Sequence, residues 1–311
     1  MRGKATMGQS TELLNIFKDI LLSTKFDDRE RLKQIVLEEK SGLESSLIPS
    51  GHIFANRRVR AQFGGAGWVN DQMSGIGYLF ALRELAKDID KKWDSVLKKL
   101  ETMRTALINS KSLICNVTLD AEHWKTFKPH FENFIFGLPE KDVNLKPFDI
   151  EPHMEKEGLT IPAQVNYVGK AANLYDLGYK FDGSAEVITG YLRMAYLWEK
   201  IRVQGGAYGG FCVFDSNSGV FSFLSYRDPN LDSTLKHYDN AAGYLKNLDA
   251  KSLSDGELTK AIIGAIGDMD SYQLPDAKGY TSMLRYLTGR SDVLRQKIRD
   301  EVLEGTRTIQ E

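Results

Sequence analysis

Neither charge predominates in this sequence of 311 residues: 41 Lys and Arg stand against 42 Asp and Glu, for a net charge of −1. Such a balance offers no field to draw a nucleic acid or an anionic membrane, and neither is expected as a partner. Long apolar runs are lacking as well, none approaching the roughly eighteen residues of a membrane span. Cysteine is limited to Cys115 and Cys212. Each lies in an apolar, strand-like run, which points to buried thiols in a reducing compartment and away from a disulfide framework. The opening MRGKATMGQS is polar and lacks the apolar centre of a signal peptide, so any targeting segment is expected outside this chain. What remains, 42% apolar and 27% charged over a length that buries a real core, is the composition of a globular protein.

Helical periodicity dominates the first part. Residues 11–23 place Leu13, Leu14, Phe17, Ile20 and Leu21 on one face, and residues 27–47 do the same with Leu32, Ile35, Val36, Leu43 and Leu47 behind an Asp27-Asp28 N-cap. Pro49-Ser50-Gly51 stops that helix, and Ser50 is placed to cap a third, ending at Arg60. The glycines of FGGAGWVNDQ read as a turn before a long helical run over 68–89, and a further helix is expected over 92–109. SLICNVTLD, Ser112 to Asp120, reads as the first strand, followed by a helix over 121–136. Residues 138–160 are rich in proline and mixed charge and read as a crossing between two units, 10–137 and 161–306.

Beyond the crossing the order changes. A strand is expected in IPAQVNYVGKAANL, a helix over 185–203, a hairpin of 207–215 and 220–226 around SNSG, and four closing helices. Strands grouped with strands and helices with helices indicate an α+β fold, with helices packed on one face of a mixed or antiparallel sheet. The helix-rich first part reads as the back of a similar unit.

The stretch RVQGGAYGG, Arg202 to Gly210, sets one cation and one phenol among four glycines. Donors of this kind suit an oxyanion that develops on an attacked carbonyl: a phenol gives one neutral hydrogen bond, a guanidinium a rigid fork of permanent charge. Glycines remove the side chains that would keep a substrate backbone away. Equally, glycines at a helix-to-strand turn serve as C-cap and bulge positions, and an arginine ending a helix favours its dipole. A tyrosine opening a strand is commonly a core residue with a satisfied hydroxyl.

With the order of elements, this stretch resembles the carboxy-terminal half of the pitrilysin-type zinc metallopeptidases, nearest the branch that degrades peptides in mitochondria and plastids. The resemblance covers nearly the whole chain, from about Leu13 to Thr306. It implies that Arg202 and Tyr208 are catalytic, reaching across a chamber to the substrate, and that Gly205, Gly206 and Gly209 are substrate-binding. It also implies zinc, held through an inverted H-x-x-E-H motif. His52, His123, His130, His153 and His237 do not open that pattern, and no H-E-x-x-H is present. The metal is therefore expected on an amino-terminal catalytic half, the partner of this chain, with unstructured peptides such as organellar presequences as substrates. The mitochondrial matrix or chloroplast stroma is the implied location. A non-catalytic scaffold or interaction subunit of the same fold is the alternative; it would have no need of the Arg202 and Tyr208 pair.

Other stretches have plainer readings. His123 and His130 lie seven apart on one helix without a third ligand, and His153 sits among glutamates in the crossing. GGAGWVN lacks the lysine and strand of a phosphate loop and reads as a turn in helical surroundings; the resemblance, which implies that this region faces the chamber, leaves a weak case for peptide contact through Trp68 or its backbone. SYRDPN offers Arg227 and Asp228 as a surface or interdomain pair, and DIDKKWDSVLKKLE is a solvated helix face.

The purified chain is expected to hold no stoichiometric zinc and to cleave no peptide, because a hydrolytic zinc needs three protein ligands and an open position. Elemental analysis checks this; about one tightly held zinc per chain with chelator-sensitive peptidase activity is the contrary result.

Overall fold

A computed structural model of the protein describes residues 1–142, 150, 155–248 and 255–305. Of these, the residues within 1–41, 81–147 and 273–284 form one compact unit and those within 42–80, 148–272 and 285–311 form another. His153 and the stretches 143–149 and 151–154 of the proline-rich crossing lie outside the described residues.

The helices of the first part follow the apolar spacing closely: α1 (Ser10–Leu22), α2 (Arg29–Ser46) and α3 (Gly51–Arg60). The run expected over 68–89 is two helices, α4 (Gly65–Ser74) and α5 (Ile76–Lys91), and the GGAGWVN stretch is mostly the first turns of α4. Asp71 causes the division. Fully buried, its carboxylate accepts the Ile76 and Gly77 N–H groups at 3.0 and 3.1 Å and the Arg58 guanidinium at 3.0 Å, satisfying the orphan donors of a new helix start. Next come α6 (Trp93–Leu107) and α7 (Ala121–Phe136). Asp120 caps α7 by accepting from the Glu122 and His123 N–H groups, and its bonds to the His123 N–H and imidazole hold its carboxyl down at about 2. Within the first unit α7 packs on α1, with Leu14 and Phe127 buried and Trp124, Phe127 and Phe131 in mutual ring contact.

Residues 112–120 are not a strand. Among the described residues no chain pairs with them, and Ile114 and Cys115 are exposed, which also corrects the expectation of a buried Cys115. Apolar alternation shows that a segment suits a sheet; a ladder still needs a neighbour.

The second unit holds a three-stranded antiparallel sheet in the order β1 (Gly169–Asn173), β3 (Val220–Tyr226), β2 (Gly209–Asp215). The strand expected from Ile161 is shorter than its apolar run: before Gly169 only Asn166 bridges, to Asp228. The hairpin stands where the sequence puts it, Gly209 opposite Tyr226 and Asp215 opposite Val220, with Gly219 at φ +76 in its turn.

One face of the sheet, bearing Gly210, Cys212 and Phe223, packs on helices. The first of them is α8 (Ser184–Tyr191), which runs on as a wider π-helix, Leu192–Val203. Leu192, Tyr196, Leu197 and Ile201 are buried there with Cys212, Tyr238 and Ala241. Phe223 stacks on Tyr238 at 5.0 Å, and the Cys212 thiol, which burial pushes up to about 12, donates to the Thr189 carbonyl. The other face meets α3: His52 stacks on Phe211 at 5.5 Å, Ser222 donates to the Asn56 side chain at 2.9 Å, and Arg60 pairs with Asp215. Both faces are thus covered, giving a helix-rich α+β arrangement. The chain closes with α9 (Asp232–Lys246), α10 (Asp255–Met269), α11 (Pro275–Leu287) and α12 (Asp292–Asp300). Past α12, Glu301 accepts from the Gly183 N–H at 2.8 Å, and Val302 is fully buried.

Two measurements probe this packing. Leu197 is 0% exposed, so Leu197→Ala is expected to cost about 2 to 5 kcal/mol in denaturant unfolding, against under about 0.5 for Met194→Ala on the outer face of the same helix. His52 titrates with the fold. Its Nδ1 is buried without a hydrogen-bond partner, and burial lowers its pKa below the ordinary 6.5. The folded state therefore refuses a proton that the unfolded chain accepts. The stability given by neutral His52 is complete above pH 6.5 and is lost as pH falls from there through the lowered value. Unfolding from about pH 7 to about pH 5 should show that decline, and His52→Phe should flatten it.

Candidate functional site

The π-helix ends in a turn that its sequence dictates. Gly206 takes φ +77, the left-handed conformation that favours glycine, and its N–H donates to the Arg202 carbonyl at 3.0 Å. The Ala207 N–H then donates to the Ile201 carbonyl at 3.1 Å, and Ala207 is buried. This reverses the chain, so that the Tyr208 N–H donates to the Tyr226 carbonyl at 3.0 Å and β2 begins.

The other glycines answer to close packing. A Cβ on Gly205 would lie 2.6 Å from the Ile201 carbonyl oxygen, one on Gly209 would lie 2.7 Å from the Phe211 ring, and one on Gly210 would lie 2.9 Å from the Ile201 Cβ. Gly206 is exposed and Gly205 partly so, whereas Gly209 is buried.

A second loop ties the turn down. Asp228 is fully buried and accepts from the Asn230 N–H at 2.9 Å and the Thr234 hydroxyl at 2.7 Å, while the Asn230 amide donates to the Gly205 carbonyl at 2.6 Å. Asp228 is therefore a buried loop organiser and not half of a surface pair. Arg227, its expected partner, has φ 49 and lies over the Tyr226 ring at 5.5 Å.

Arg202 and Tyr208 come together across this turn. The Arg202 guanidinium carbon stands 4.0 Å from the Trp198 ring centroid and 5.5 Å from that of Tyr208. Among the described residues no carboxylate forms an ion pair with Arg202, and no acceptor takes its side-chain N–H groups. Tyr208 is 65% exposed, its ring set edge-to-face with Tyr226 at 5.7 Å, so it is no core tyrosine. Tyr226 in turn contacts His52 at 4.9 Å and Tyr167 at 5.8 Å. The product is a cation and a phenol facing solvent on an aromatic base.

Trp198 is the member that residue-by-residue reading misses. The signal for it is the W-x-x-x-R spacing, which puts Trp198 and Arg202 on one side of a helix. Asn230 carries no such signal, since its role depends on a carbonyl 25 residues away.

The remaining candidates stay apart from this chemistry. His123 is exposed and bonded to the Asp120 carboxylate, which raises its pKa, and His130 is exposed on α7. Trp68 is half-buried on α4. Among the described residues no group of three His, Cys, Asp or Glu is gathered where it could hold a metal, so the donor set here does not fit zinc.

Family models match both parts of the chain: "PreP C-terminal domain" over residues 156–308 and a peptidase-associated region over residues 1–85. Presequence protease 1, chloroplastic/mitochondrial, of Arabidopsis thaliana is 45% identical over 304 residues, covering 97% of this chain and 28% of that protein. Protein HypA of Clostridium perfringens is 31% identical over 302 residues, covering 97% and 30%. The mitochondrial presequence protease of Xenopus laevis is 25% identical over 325 residues, covering 95% and 31%. The chain thus spans about three tenths of the length of these relatives. With both matched regions in order and this relatedness along nearly its full length, the chain belongs to the presequence protease family, in the part that carries the PreP C-terminal domain.

Proposed function

We propose that this chain is the substrate-clamping, carboxy-terminal portion of a zinc metalloendopeptidase that degrades unstructured peptides such as cleaved organellar presequences. The observation that carries the reading is the pairing of an exposed Tyr208 phenol with an Arg202 guanidinium that has no counter-charge among the described residues. The family relationship gives this pair its context. The zinc of such an enzyme would be held by residues outside this chain, and the mitochondrial matrix or chloroplast stroma would be its location.

The chemistry of this chain is that of two donors. The Tyr208 hydroxyl gives one hydrogen bond to a peptide carbonyl oxygen, and Arg202 offers in-plane N–H groups to a second carbonyl or to a carboxylate. Negative charge that grows on the attacked carbonyl strengthens both bonds, so the pair favours the transition state over bound peptide. Gly206, exposed between them, leaves room for the peptide backbone; Gly205 and Gly209 act by shaping the turn. A scaffold subunit would have no use for these two groups held in solvent.

In the full-length enzyme that carries this chain, Arg202→Ala is expected to lower kcat/KM by about 10² to 10³, as for removal of one oxyanion donor. Tyr208→Phe keeps the ring against Tyr226 and removes only the hydroxyl, with an expected loss on the order of 10². Peptide hydrolysis is the assay, with zinc content and thermal unfolding followed alongside. Normal turnover by both variants, folded and metal-loaded, would refute the proposed clamp.

A further inference from the structure

We propose that Trp198 is the positioning residue of the clamp: its indole face holds the Arg202 guanidinium in plane while leaving every N–H of the fork free for substrate. The inference rests on the reading of Arg202 as a substrate donor and adds the device that makes it effective.

Trp198 is 42% exposed on the π-helix, flanking the buried row of Leu197 and Ile201. A large apolar ring in that place gains little from burial. Its close contact is the Arg202 guanidinium, 4.0 Å from the ring centroid and well inside cation–π range. Tyr208 lies near the same guanidinium at a looser 5.5 Å.

A carboxylate would be the usual way to hold an arginine, and one is at hand. Glu199 lies three positions before Arg202, yet its carboxylate accepts from the Gln204 amide at 2.9 Å. Lys200 donates to the oxygen of the same amide at 3.2 Å, so Gln204 occupies the polar groups beside Arg202. A carboxylate partner would take two N–H donors and cancel the charge. An aromatic face instead attracts the cation through the π-cloud, perpendicular to the plane in which the five N–H groups point. Indole is the strongest such face among the natural side chains. The arginine therefore stays charged and oriented with its donors unspent.

The test uses the full-length enzyme with four variants: Trp198→Leu, Trp198→Phe, Arg202→Ala and the double variant Trp198→Leu with Arg202→Ala. Removal of one cation–π contact should lower kcat/KM by roughly three- to thirty-fold in Trp198→Leu, with the loss in kcat more than in KM and the thermal midpoint unchanged. Trp198→Phe, which restores an aromatic face, should recover most of it. The double variant should be no slower than Arg202→Ala alone, because a positioning residue has nothing to position once the arginine is gone. Losses that multiply in the double variant, or wild-type turnover by Trp198→Leu while Arg202→Ala is impaired, would overturn the role of Trp198 and leave that of Arg202 standing. An Arg202→Ala enzyme of normal activity would overturn the reading of Arg202 itself, and this inference with it.

Discussion

The contact of Ile201 with Gly210 sets the geometry on which the site depends. With no side chain at Gly210, the π-helix lies directly on β2, and a Cβ there would come within 2.9 Å of the Ile201 Cβ. Arg202 follows Ile201, and Tyr208 stands two residues before Gly210. The separation of the cation from the phenol is therefore inherited from a backbone-to-helix approach that only glycine permits. Interiors are close-packed, so a shift at this contact passes to both side chains together. The glycines that first look like room for a substrate are mainly the means by which the chain makes its own turn.

The second unit uses arginine in two ways, and the difference is informative. Arg58 joins buried Asp71 to Glu157, and those hydrogen bonds raise its pKa further; Arg60 pairs with Asp215. Each is committed to neighbouring carboxylates and secures α3. Arg202 is set between aromatic faces and neutralised by nothing among the described residues. An arginine that holds a fold together spends its fork on that fold, whereas one kept for a ligand has its fork open.

Local patterns were readable wherever local interactions decide the structure. The periodicity of α1 and α2, the Asp28 cap of α2, which accepts from the Arg31 N–H, and the hairpin around residues 216–219 are all written within a few residues of where they act. Arg202 and Tyr208 were singled out by family likeness, and their meeting follows from the short turn that joins them. What escaped depends on distant partners. Residues 112–120 have the composition of a strand without a neighbour among the described residues to complete it, and the run from Ile161 pairs continuously only from Gly169. Asp71 divides a helix because its carboxylate reaches the next helix start, and Asp228 is buried because α9 supplies Thr234. Nor does period alone tell a π-helix from an α-helix, so the widened segment 192–203 read as an ordinary continuation of α8.

The carboxy-terminal packing described above has a consequence for the order in which the chain is made. Gly183 waits for Glu301, 118 residues later, to satisfy its N–H, and Val302 completes a buried surface beside a helix translated long before it. A ribosome delivers α3, the sheet and the π-helix first. Until residues 298–302 have emerged, that surface remains in water, and its closure must also bear the entropy of a long loop. The nascent chain therefore keeps a sticky flank until those residues emerge, the interval in which a holding chaperone would find most to bind.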